Sequence, residues 1–131
     1  MGTHTHWVPG PIQASGVVEG TTKCYPVITI QNNGAEIASG YLQVWQYTAG
    51  AGVASLIVSA AIPTGLYIKL DCALRKGYYS GDGVNWAEAT GLITVAVADW
   101  LFLVAGLANE IRILNLPSTS TVSIVYTPRY A

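Results

Sequence analysis

The densest run of chemically capable residues is Gly77-Tyr78-Tyr79-Ser80-Gly81-Asp82-Gly83-Val84-Asn85-Trp86. Asp-Gly builds a tight turn, because glycine reaches positive φ without strain and a short carboxylate bonds nearby backbone. Trp86 then offers a large apolar cap to anchor the turn. Ser80, Asp82, Gly83 and Trp86 are therefore expected to be a structural turn. A calcium loop on Asp82 and Asn85 is the competing chemistry. Calcium takes about 6–8 oxygen ligands, and this loop has few charged ones.

The spacing also approaches the Ser-x-Asp-x-Gly-x-x-Trp box of sialidase propellers. Here the four residues sit one position too close together, in one copy where a propeller carries several. Catalysis finds no better footing. The only histidines, His4 and His6, lie near the N-terminus, and no Gly-x-Ser-x-Gly elbow is present. A glycosidase needs only two carboxylates, but nothing in the spacing of Asp71, Asp82, Glu88, Asp99 and Glu110 selects a pair. No enzyme and no cofactor is expected. His4 and His6 alternate, so an extended backbone places both on one side and permits a metal. Packing or solvation is the simpler expectation, and no metal site is assigned. Cys24 and Cys72 match no zinc spacing. Without a basic, apolar leader in MGTHTHWVPG they are expected to be reduced and buried, in a chain made in a cytoplasm.

Composition limits the partners. Charged residues make up only 10% of the 131 residues, against 51% hydrophobic, where an ordinary domain carries about 25% charged. Six basic and seven acidic residues wet a folded surface poorly, and a net charge of −1 protects little against association. Much of the surface is expected to be covered by copies of the chain or by a partner. The scattered basic residues form no stripe for phosphates, so no nucleic acid is expected. No apolar run reaches the roughly 18 residues of a membrane span, so no membrane is expected either. Tyr67, Tyr78, Tyr79, Trp86 and Trp45 have two uses. They can stack on a glycan, or they can anchor protein interfaces, where Tyr and Trp are enriched. Low charge favours the interface, with Tyr78 and Tyr79 as anchors.

Period-two patterning supplies the scaffold. Expected strands are Tyr25–Gln31, Tyr41–Tyr47, Ala54–Ala60, Leu66–Ala73, Leu92–Ala96, Leu101–Val104, Asn109–Leu114 and Thr121–Thr127. Leu66, Ile68, Leu70 and Cys72 point one way, and Tyr67, Lys69 and Asp71 the other. Turn residues separate the runs, including Asn32-Asn33-Gly34, Pro63-Thr64-Gly65 and Gly81-Asp82-Gly83. Helical character is confined to Asn85–Thr90, which is too short to matter. The fold class is all-β: one antiparallel β-sandwich over residues 21–131, jelly-roll-like, after an extended N-terminal arm at 1–20. Pro9 and Pro11 hold that arm extended, with Trp7 and Ile12 expected to dock on a neighbour.

Ser80, Asp82, Gly83 and Trp86, then Ile111-Arg112-Ile113-Leu114, then Ser120–Tyr126, form a strand–turn–strand arrangement. It resembles the small β-sandwich domains of tailed-bacteriophage virions, such as capsid decoration or cement proteins, head fibres and tail-associated modules. The resemblance covers roughly Ala54–Tyr126 and leaves the N-terminal third unmatched. It implies a virion structural protein, a homotrimer docked on a major capsid or other virion protein. It also implies an alternative, a glycan-binding or receptor-binding module of a fibre.

Overall fold

A computed structural model describes residues 4–7, 23–48, 51–89, 91–97, 100–104, 109–117 and 119–129. These form eleven strands: β1 (His4–Trp7), β2 (Lys23–Gln31), β3 (Gln43–Thr48), β4 (Ala51–Val58), β5 (Tyr67–Asp71), β6 (Lys76–Ser80), β7 (Ala87–Glu88), β8 (Ile93–Val97), β9 (Leu103–Val104), β10 (Asn109–Leu116) and β11 (Thr121–Arg129). One antiparallel sheet runs β1-β10-β3-β4-β8. The other runs β11-β2-β5-β6-β7, with β9 pairing the start of β2. The chain changes sheet repeatedly, and β10 returns late to lie between β1 and β3. Two antiparallel sheets packed in this way make a β-sandwich, with β3 and β4 adjacent in one sheet and β5, β6 and β7 in sequence in the other.

Alternation decides what the sheets bury. Ile28 and Ile30 of β2 and Ile68 and Leu70 of β5 share one core with Val44, Leu56, Val58, Ile111 and Ile113 of the facing sheet. Each fully buried aliphatic side chain contributes about 1.5–3 kcal/mol by leaving water. Arg112 points outward between Ile111 and Ile113, and its guanidinium lies 4.3 Å from the centre of the Tyr47 ring. Pro26 sits inside β2 where its flank changes partner, from β9 at Lys23–Cys24 to β5 at Val27–Gln31. A gap in the ladder is where a residue without an N–H does least harm.

Two buried amides tie the sandwich ends. Asn32 donates from Nδ2 to the carbonyls of Ala35 at 3.0 Å and Ile62 at 2.9 Å, and its Oδ1 accepts from the Gly34 N–H at 3.0 Å. Gln46 donates to the Phe102 carbonyl and accepts the Phe102 N–H at 3.0 Å, so its amide acts as one more rung of backbone. Cys72 is a free, buried thiol. Burial pushes it up to about 12, so it is inert rather than poised for chemistry.

All eight strands read from the sequence are present with shifted ends, and three strands went unread. Among the described residues of Asn85–Thr90 there is no helix; Ala87–Glu88 is an edge strand on β6. The N-terminal arm is extended at His4–Trp7, but these residues are part of the sandwich. They pair with β10, Trp7 opposite Arg112 and His4 opposite Leu116. Strand β6 falls within the stretch read as a turn. Gly77 is required there, because a Cβ would lie 2.7 Å from Cγ1 of Ile93.

Candidate functional site

The turn after β6 closes on itself through Ser80 and Asp82. Ser80 Oγ donates to Asp82 Oδ1 at 2.9 Å and accepts the Gly83 N–H at 2.9 Å. Asp82 Oδ1 also accepts the N–H groups of Val84 and Asn85, both at 2.8 Å, while Oδ2 accepts from Asn85 Nδ2 at 2.7 Å. These bonds, from the Asn85 and Val84 backbone first and then from the Asn85 and Ser80 side chains, hold the carboxyl well below the usual carboxylate range. Both oxygens are thereby occupied, as a structural turn requires.

Gly83 takes φ +77°, and a Cβ there would lie 3.0 Å from Cζ of Tyr67. The turn therefore lies on the Tyr67 ring, and only glycine allows both the backbone angle and the approach. Trp86 follows at the same place, edge-on to Tyr67 with ring centres 6.3 Å apart and planes at 80°. Its cap is on the outward face of the sheet, half-buried, and not in the core.

Register places the other members. Tyr67 lies opposite Ser80, and Lys69 opposite Tyr78. The Lys69 ammonium is 4.4 Å from the centre of the Trp86 ring and 4.8 Å from that of Tyr78. Lys76 and Glu88 border the cluster as an ion pair at 3.2 Å, with both side chains about half exposed.

The residues singled out in the sequence thus separate. Ser80, Asp82, Gly83, Trp86, Tyr67 and Tyr78 assemble. Tyr79, one residue along β6, takes the other face and is 44% exposed. It borders a cleft of about 360 Å³ at the sandwich edge, with Leu66, Ile68, Ala89 and Leu92. Trp45 is on the other sheet, stacked with Tyr47 at 6.2 Å. The side chains of His4, His6 and Trp7, and all of Ile12, lie outside the described residues. Among the described residues, no three His, Cys, Asp or Glu side chains gather as metal ligands.

Sequence reasoning missed Lys69 as a site residue. Its alternation with Tyr67 was the available signal, since both fall on the face opposite Ile68 and Leu70. Thr29 and Ser123 went unnoticed too, although they occupy the same cross-strand row as Lys69. Compared with family models, curated proteins and solved structures, the chain matches none.

Proposed function

We propose that this protein is a structural assembly module of a bacteriophage virion, a decoration or cement protein that acts by packing against copies of itself and against a capsid subunit. Strand β11 is the observation that supports it best. It runs nine residues, Thr121–Arg129, and among the described residues it pairs only with β2. Its first seven residues carry no charge, and Val125 is 60% exposed. Monomeric sandwiches blunt such edges with charge, brevity or a cover, because a bare ladder recruits another strand. Among the described residues only Pro128 and Arg129, at its far end, do so. A chain with 10% charged residues adds little repulsion to prevent the contact. The work done is mechanical: apolar surface buried across subunit junctions resists their separation.

The test is recovery of the chain with particles. Virus purified from cells that express it should carry the protein in many copies per particle, accessible to antibody on the outer surface. Recovery only in the particle-free fraction overturns the proposal.

A further inference from the structure

We propose that the outward face of the β11-β2-β5-β6-β7 sheet binds an acidic polysaccharide, one carrying carboxylates on pyranose rings. The proposal does not rest on the assembly reading. Register sets one row across the sheet as Ser123, Thr29, Lys69, Tyr78 and Glu88, in strand order. The turn then folds Trp86 over that row, against Tyr67.

Each part matches one feature of such a ligand. The C–H face of a pyranose is apolar and faintly positive, and it is attracted to the negative face of an aromatic ring. Trp86, Tyr78 and Tyr67 are all partly exposed, and the planes of Trp86 and Tyr67 meet at 80°, so these two form a walled corner rather than a flat strip. Thr29 and Ser123 extend the row with hydroxyls that can both donate to and accept from sugar hydroxyls.

Charge decides the class of sugar. The three carboxylates nearest this row are engaged: Asp82 by its turn, Glu88 by Lys76, and Asp71 by the Leu74 N–H at 3.0 Å. Lys69 makes no ion pair among the described residues, and its ammonium is held between two rings. A cation so placed loses little further freedom on meeting a carboxylate, so the pairing is cheaper than for a lysine waving in solvent. The other sheet offers a contrast. Arg112 lies over Tyr47 there, but Trp45 stacks beside that ring at 24°, so the two rings make a flat pair and not a corner.

The experiment passes the full-length protein over immobilised polygalacturonate and polysialate, and over their methyl-esterified forms. Retention is expected on the free acids, weakening as salt rises, with at most weak retention on the esters. Lys69→Met should lower affinity for the acid by about tenfold. Trp86→Ala should lower it at least as much, and Arg112→Met should leave it unchanged. Melting curves for each variant separate lost binding from lost fold, and Lys69→Met carries the test if Trp86→Ala unfolds. No retention on either acid overturns the proposal, as does retention unaltered by Lys69→Met. Equal retention on the esters removes the acidic requirement and overturns it likewise. Equal retention on polyglutamate would show that the face reads charge and not sugar, and overturns the proposal too.

Discussion

Asp82 holds the turn by accepting hydrogen bonds as a carboxylate, so its protonation is linked to folding. Its folded-state value lies below the ordinary value of about 3.9, so it contributes stability that is complete above about pH 4 and declines as the pH falls further towards the folded-state value. Asp82→Asn keeps an acceptor but removes the titration. The wild-type melting temperature should therefore fall more steeply than that of the variant between about pH 4 and pH 2. Parallel slopes would show that the bonds do not favour the charged form. At this scale the sequence was most readable where partners are close along the chain. Ser80, Asp82 and Gly83 interact across two or three positions, and turn chemistry alone announces them. Lys69 and Tyr67 meet Trp86 from 17 and 19 positions away, which no local rule reports. Asn32 is similar: its buried amide bonds the Ile62 carbonyl, 30 residues on.

Among the elements, legibility followed hydrophobic alternation. The strands β2, β5 and β10 bury alternate side chains over much of their length, and in β5 and the residue after it the sequence set Ile68, Leu70 and Cys72 on one face, which is the buried one. Strand β6 reads Lys-Gly-Tyr-Tyr-Ser, and its two buried positions are a glycine, where Ile93 needs the room, and the polar Ser80. Its burial signal is therefore missing from the sequence. Strand β1, His-Thr-His-Trp, has no alternation of aliphatics and is defined by its partner alone. Deleting residues 1–7 distinguishes a strand from a passive arm. Because β1 covers the outer side of β10, the deletion should lower stability by about 1–3 kcal/mol through lost ladder bonds. Denaturant unfolding checks this; an unchanged midpoint would mean that β1 adds nothing to the sandwich.

For the whole molecule the composition and the surface agree. Tyr41, Leu74, Val84 and Val125 are more than half exposed, Val84 at 76%, on a domain with thirteen formally charged side chains in 131 residues. Single exposed apolar residues are ordinary. Val125 differs because it sits in the uncharged part of β11, which among the described residues pairs on one side only, with β2. The fold class was legible because alternation and turns are local, whereas the order of strands in the sheets was not, since it depends on where distant strands settle. Partners are still less local, and scarcity of charge is the feature of the sequence from which they are expected. Self-association is accordingly the property on which the functional proposal stands, and sedimentation velocity over a wide concentration range measures it most directly. The wild-type chain is expected to sediment as a trimer, and Val125→Lys, which puts charge on the exposed side of β11 without touching the core, is expected to shift it towards monomer. A wild-type chain that remains a monomer at the highest concentration, indistinguishable from Val125→Lys, would contradict the proposal.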